Sequence, residues 1–337
     1  MKFKVIGDEA NQPRYSSHII IDSLNREARK LELYDEKGKV IFYDGVADSH
    51  GTNPDAFITT YEITFPWVVL NNAKGKLLIG VSSDNQSFMI EGGHDPELTA
   101  WFSLGVDSKL YPEVKKTRNL DKFVVGCYTE SLIRGGVNST IEAFGRAFSG
   151  RKDVKLCLKD RNGTETFEKW VKKQANFFNV EIEYLNCHFA TIEEIVNWFS
   201  GIDCHLYLNY SSTFALPPLE GLSMGIPTIA MSYSGPRHYI INGETGLTPK
   251  YTLKPIEEDF QTLQKIGTRN YFFLGGYKKT PTWAIPDLDD TARCLLEMES
   301  NKELRLLLKE NGRKMAESLT WEKSVKQLDS IIKQKLS

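Results

Sequence analysis

The stretch CHLYLNYSSTFALPPLEGLSMGIPTIAMSYSGPRHYIINGETGLT, residues 204–248, decides the fold. It begins with one apolar run, CHLYL over 204–208, and reaches another, PTIAM over 227–231. Neither alternates strictly, so each reads as a strand covered on both faces, as in a parallel sheet. Between them Pro217-Pro218 opens a helix, because proline suits a first helical turn. Glu220 then falls in that turn. Its carboxylate either complements the helix dipole or stands at the carboxyl end of a sheet, where doubly wound folds bind ligands. In the second role a sugar hydroxyl is a natural partner, since an ionised carboxylate is a strong acceptor.

Outward from this stretch the same alternation continues. Apolar runs lie at 123–127 (FVVGC), 154–158 (VKLCL) and 180–184 (VEIEY), and earlier at 3–6 (FKVI), 40–43 (VIFY), 56–60 (AFITT) and 77–81 (LLIGV). Helical stripes separate them: Ile21, Leu24, Ala28 and Leu31; Val137, Ile141, Phe144 and Phe148; Phe167, Val171, Ala175 and Phe178. Thr191 with Glu194 forms a capping-box pattern ahead of Ile195, Val196 and Phe199. Strand–helix alternation in two halves predicts an α/β chain of two doubly wound, Rossmann-like domains. A polar, aperiodic segment around 112–121 marks a linker, giving a short first domain over 1–115 and a second over 121–315. Residues 250–285, with Gly267, Gly275-Gly276 and Pro281, read as an insertion in the second, and 316–337 as a terminal helix.

A length of 337 residues suits two domains, and 41% hydrophobic with 26% charged residues is ordinary globular composition. Net charge is −2; residues 1–115 carry 12 basic and 17 acidic side chains, the remainder 30 and 27. Neither part has the basic excess of a nucleic-acid binder or of a protein held on anionic lipid. No apolar run reaches the ~18 residues of a membrane span, and the charged N-terminus, Met1 to Ile6, does not read as a signal peptide. Five cysteines without a CxxC read as reduced core residues of a cytoplasmic protein. The six histidines show no metal-ligand spacing. Asp287-Leu288-Asp289 spells a D-x-D, yet it opens a periodic helix with Ala292, Leu295 and Leu296, where acids need no metal. There is no G-x-G-x-x-G, P-loop or G-x-S-x-G, which counts against a dinucleotide-binding oxidoreductase.

Arg134 precedes Gly135-Gly136 and the helix near Val137. Glycines admit a ligand to the backbone, a helix N-terminus offers N–H groups to an anion, and a guanidinium recognises phosphate in two-pronged fashion. The alternative is a surface arginine at a loop end.

At these residues the sequence resembles the nucleotide-sugar glycosyltransferases of the GT-B fold, family 4, a retaining group. Phe214, Leu216, Pro217, Leu219, Glu220, Met224, Gly225, Pro227 and Ile229-Ala230 fit its long motif in register, and Asn242-Gly243-Glu244-Thr245-Gly246-Leu247 fits its tail. Leu104-Gly105-Val106-Asp107 with Tyr111-Pro112, Val125-Gly126, Arg134-Gly135 and Ser318-Leu319-Thr320-Trp321-Glu322 agree with further family segments. The resemblance implies two domains facing each other across a cleft, the second holding a nucleotide-diphosphate sugar and the last helix crossing back to the first, acceptor-side domain. It implies sugar transfer to an acceptor hydroxyl with retention and without a metal or other cofactor. It leaves open whether the acceptor is a glycan, a lipid-linked glycan, a protein or a small molecule.

By the same resemblance Arg134 grips the diphosphate and Glu220 binds the ribose hydroxyls, the two being the catalytic candidates. Gly126, Gly135, Ser212, Phe214, Leu216, Pro217 and Leu219 complete the donor site. Cys187, His188 and Phe189 lie beside the base, and Ser16, Ser17, Ser83 and Asp84 face the sugar or acceptor. The chain departs from the family at four places. Ser212 replaces a Glu that faces the donor sugar, and Cys127 replaces an Arg. Ser16-Ser17 replaces Gly-Gly, and Ser82-Ser83-Asp84 stands where a first-domain histidine is usual. Ser212 and the short first domain motivate the alternative of a non-catalytic donor-binding or scaffolding member of a glycosylation complex.

Overall fold

A computed structural model describes residues 3–6, 16–31, 42–44, 56–59, 73–114, 122–129, 133–161, 163–255 and 282–336. Residues 115–121 of the linker and 256–281 of the insertion lie outside them.

The first sheet is formed by β1 (Phe3–Ile6), β2 (Phe42–Asp44), β3 (Ala56–Thr59), β4 (Leu77–Gly80) and β5 (Thr99–Trp101) in the order β2-β1-β3-β4-β5. All its pairings are parallel. The second contains β6 (Phe123–Thr129), β7 (Val154–Asp160), β8 (Ile182–Asn186), β9 (Cys204–Tyr207) and β10 (Thr228–Ala230), again all parallel, in the order β10-β9-β6-β7-β8. Counted within each sheet these are the two common doubly wound orders, 2-1-3-4-5 and 3-2-1-4-5. Apolar runs without alternation thus occupy parallel strands, and Ala56, Ile58, Leu77, Leu78, Ile79, Leu156 and Leu206 are fully buried.

The helices are α1 (Ser16–Lys30), α2 (Ser83–Glu91), α3 (Val137–Phe148), α4 (Glu165–Phe178), α5 (Ile192–Ser200), α6 (Leu216–Ser223), α7 (Leu288–Ser300), α8 (Lys302–Ser318) and α9 (Trp321–Leu336). The α3 stripe Val137, Ile141, Phe144 and Phe148 is buried throughout. Thr191 and Glu194 close the capping box of α5 on both sides. None of these helices is long and apolar enough to cross a membrane among the described residues.

Several sequence expectations need correction. β5 and α2 carry no apolar run or amphipathic stripe and were not foreseen; the extended segment Thr99–Trp101 becomes a strand only by pairing with β4. The run at 180–184 starts its strand at Ile182. The two ends of the expected insertion are themselves strands, β11 (Tyr251–Pro255) and β12 (Thr282–Pro286), paired antiparallel. Trp283 and Ala284 of β12 are buried in the core of the second sheet.

The two sheets meet through the chain's last helix and the segment after β5. Trp321, Val325, Leu328 and Ile332 of α9 share one core with Ile20, Leu24 and Ala28 of α1. Gly105 lies against the Thr320–Trp321 peptide, where a Cβ would sit 2.3 Å from the Thr320 carbonyl carbon. Val106 N donates to Leu319 O at 2.9 Å beside it. Further on, Val114 N donates to Met224 O at 3.0 Å, which ties the segment to the end of α6.

Candidate functional site

Loops of an open parallel sheet part where the strand order reverses, and ligands bind there outside the carboxyl ends. In the second sheet that point lies between β6 and β9. β6 ends at Thr129, whose Oγ1 donates to Gly135 O at 3.1 Å. Arg134 sits in the short turn Ile133–Gly135. Its carbonyl accepts from Tyr210 N at 2.8 Å, and its Nη1 donates to Ser211 O at 3.2 Å. Arg134 therefore bridges the two loops that flank the reversal. α3 starts at once behind it from Gly136, with φ +66° and no room for a side chain, since a Cβ would lie 2.1 Å from Leu208 O. Only glycine lets a helix begin this close to β9. A glycine cap brings no side-chain oxygen, and the first turn holds no acid. The leading N–H groups of α3 are then left for a ligand. Ser211 Oγ, also buried, has no hydrogen-bond partner among the described residues. A guanidinium and helix N–H groups at one crevice suit a phosphate.

The loop after β9 is strained. Among the described residues three non-glycines have positive φ, and two of them, Ala215 (66°) and Ser234 (54°), lie in the loops after β9 and β10. Gly235 N donates to Ser212 O at 3.2 Å and joins those loops. Ser212 is buried, and its Oγ accepts from Tyr207 Oη at 3.2 Å.

Glu220 is the fifth residue of α6, not part of its first turn, because the helix opens at Leu216 ahead of the prolines. Complementing the helix dipole is therefore not its role. It is only 6% exposed, and Tyr111 Oη donates to its Oε1 at 2.8 Å. Burial pushes its carboxyl up to about 7, against the opposing effect of the Tyr111 hydrogen bond. Ser223 Oγ donates to Tyr111 O at 3.0 Å, so the tyrosine is held at both ends by α6.

Four further donor-site candidates lie in the interior. Gly126 lies inside β6, where a Cβ would collide with Ile202 and Trp198; it serves sheet–helix packing. Leu219 and Phe214 belong to the core, Phe214 against Tyr239 with ring centroids 5.5 Å apart. Leu216 is buried at the start of α6 and Pro217 half-buried beside it. These residues shape the loop rather than present polar groups.

Cys187, His188 and Phe189 follow β8 and are half-buried. Cys187 N donates to Asp160 O at 3.0 Å at the end of β7. Phe189 faces Tyr128 of β6, with Lys159 Nζ 4.3 Å from the Tyr128 centroid and 4.8 Å from that of Phe189. This buried lysine was missed in the sequence, where it reads as one polar residue ending an apolar run. All five cysteines are free. Cys127, in the place of the family's arginine, is buried in β6.

Across the cleft Ser82 caps α2 by accepting from Asn85 N at 3.1 Å. Ser83 and Asp84 face the turn Gly235–His238 of the other sheet's loops. Arg237 Nη1 lies 3.0 Å from Asp84 Oδ1, and His238 Nε2 lies 3.3 Å from both Ser83 N and Ser83 Oγ. An imidazole thus stands beside Ser83, but it comes from the other half of the chain; no local spacing signals that. Ser16 and Ser17 open α1. Asp287 caps α7, accepting from Asp289 N and Asp290 N at 3.0 Å each, and Asp289 pairs with Arg146 at 2.7 Å, which accounts for the D-x-D.

Residues 113–254 match the family described as Glycosyl transferases group 1. No curated protein sequence matches the chain. The fold is GT-B. The crystal structure of Anabaena HepE in complex with UDP and glucose superposes with a TM-score of 0.68 at 15% identity, over 99% of this chain and 100% of that one. WaaG, a glycosyltransferase involved in lipopolysaccharide biosynthesis, gives 0.65 at 11% identity over 98% and 99%. A glycosyltransferase from Rickettsia africae gives 0.63 at 14% identity over 98% and 85%.

Proposed function

We propose that the protein transfers a sugar from a nucleoside-diphosphate sugar to an acceptor hydroxyl. The observation that carries this reading is Arg134, bridged to Ser211 O at 3.2 Å at the strand-order reversal and set at the uncapped start of α3. In this reading the diphosphate lies against Arg134 and the α3 N–H groups. They offset the charge that grows on the leaving diphosphate as the glycosidic bond breaks, and no metal is required. The acceptor hydroxyl attacks from the face the diphosphate leaves, so configuration is retained, as in the resembled family 4. Glu220 takes the ribose hydroxyls, and Cys187 to Phe189 border the base. A uridine nucleotide is the first donor to try, because HepE was crystallised with UDP-glucose. The domains are assigned as 1–115 for the acceptor side and 121–315 for the donor.

A second reading, a donor-binding protein without turnover, draws on Ser212. Its Oγ accepts from Tyr207 Oη, and a serine brings no carboxylate to the sugar there. One experiment separates the readings: a thermal-shift panel of UDP, GDP, ADP and dTDP sugars, followed by an assay for nucleoside diphosphate release. Stabilisation of ~2.7 kcal/mol at 100 times the dissociation constant marks a binder. Release with retained configuration marks the enzyme, stabilisation without release the second reading, and no stabilisation by any sugar nucleotide overturns both.

A further inference from the structure

The cleft holds one group that the reading above does not use. His238 closes the turn Gly235–His238, and its Nε2 lies 3.3 Å from the backbone nitrogen of Ser83. A backbone N–H only donates, so Nε2 must offer its lone pair, and a neutral ring then carries its proton on Nδ1. Ser83 Oγ, 3.3 Å from the same nitrogen, is a second donor to it. The ring is half-buried and lies against Trp101 of β5, centroids 4.9 Å apart and planes inclined by 31°. Burial holds its pKa below the ordinary value; Arg237 acts the same way and Asp84 opposes, so the neutral form prevails at neutral pH. Nδ1 has no acceptor among the described residues.

The position of this donor follows from the loops. Arg134 holds Ser211 O, and the next residue, Ser212, accepts from Gly235 N at 3.2 Å at the head of the histidine's turn. A diphosphate at Arg134 would therefore place its sugar along this run of loop, toward His238 and the wall made by Ser83 and Trp101. Trp101 holds the imidazole against this wall, and a neutral N–H suits a hydroxyl.

We infer that His238 donates its Nδ1–H to a hydroxyl of the donor sugar, with the tautomer set by Ser83 across the cleft and Trp101 flooring the ring. The assignment rests on the glycosyl-transfer reading. It makes sugar recognition depend on both halves of the chain, while nucleotide recognition needs only the second sheet.

The test is calorimetry on the full chain with UDP-, GDP-, ADP- or dTDP-glucose, whichever stabilises it, and with the matching nucleoside diphosphate. His238→Phe keeps a ring on Trp101 and removes both nitrogens. It should weaken the sugar nucleotide about five- to tenfold and lower kcat/KM of donor hydrolysis in step, while leaving the nucleoside diphosphate unchanged. His238→Asn, with an amide N–H near the place of Nδ1, should recover part of the loss. Equal weakening of both ligands, or no change in either, overturns the role of His238 and leaves the glycosyl-transfer reading standing. Failure of every nucleotide and sugar nucleotide to bind the wild-type chain overturns that reading first and this one with it. Nitrogen NMR of the wild-type imidazole needs no variant. The Nδ1–H tautomer, with its Nδ1 signal moved by the sugar nucleotide but not by the nucleoside diphosphate, supports the assignment, and the opposite tautomer ends it.

Discussion

Arg134 and Glu220 answer to different forces. Arg134 is half-buried at a loop end, and its Nη1 donates to Ser211 O. A charge-assisted contact to a diphosphate is worth ~1.5–3 kcal/mol. Arg134→Ala should then weaken nucleoside diphosphate binding about tenfold or more in calorimetry, with little change in melting temperature. Glu220 is the reverse case. Its carboxyl is raised from 4.5 to about 7 by burial. The folded state therefore holds this proton more tightly than the unfolded chain. Stability from this residue is fully present below pH 4.5, declines as the pH rises, and is gone above about 7. The gap corresponds to roughly 3 kcal/mol. Glu220→Gln should stabilise the ligand-free protein at pH 8 by up to that amount and have little effect at pH 4.5, in thermal unfolding at the two pH values. The same substitution should weaken nucleotide binding at pH 8, because ribose hydroxyls favour the ionised acceptor. Wild-type affinity should accordingly fall as the pH drops below about 7.

At the scale of elements, the loop after β9 and the start of α7 show how strain and capping divide between site and scaffold. Ala215 is held at φ 66°, in the left-handed region that favours glycine. A left-handed alanine costs ~1–2 kcal/mol, and glycine recovers most of that less its own chain entropy. Ala215→Gly should raise stability by about 0.5–1 kcal/mol in denaturant unfolding. Asp287 satisfies two N–H groups of α7. Its replacement by Ala should cost ~1 kcal/mol of stability and leave turnover unchanged. EDTA should likewise leave transfer intact; activity that vanishes with chelation and returns with manganese would contradict a metal-free leaving-group step.

For the whole molecule, the joint between the halves is the last helix. Trp321 is 5% exposed in the core shared by α9 and α1, and Gly105 admits no side chain against the Thr320 peptide. Trp321→Ala should cost ~3–5 kcal/mol in denaturant unfolding. Transfer, which needs the cleft, should fail before nucleotide binding, which needs only the crevice between β6 and β9; titration and turnover measured across a denaturant series would show the order.

Local pattern determined the two parallel sheets, the stripe of α3, the capping box of α5 and the Arg134-Gly135-Gly136 turn. Unbroken apolar runs, 3.6-residue spacing and glycines before a helix are all constraints between near neighbours in sequence. Local pattern did not determine β5 or α2, whose pairing partners supply what their own residues lack. Nor did it show that Glu220 meets Tyr111, that Lys159 lies between Tyr128 and Phe189, or that His238 stands at Ser83. The last contact spans 155 positions of chain. Such meetings are fixed by how strands order themselves and how two sheets face each other. A carboxylate raised toward neutrality or an imidazole with a chosen tautomer therefore exists only once the chain has folded.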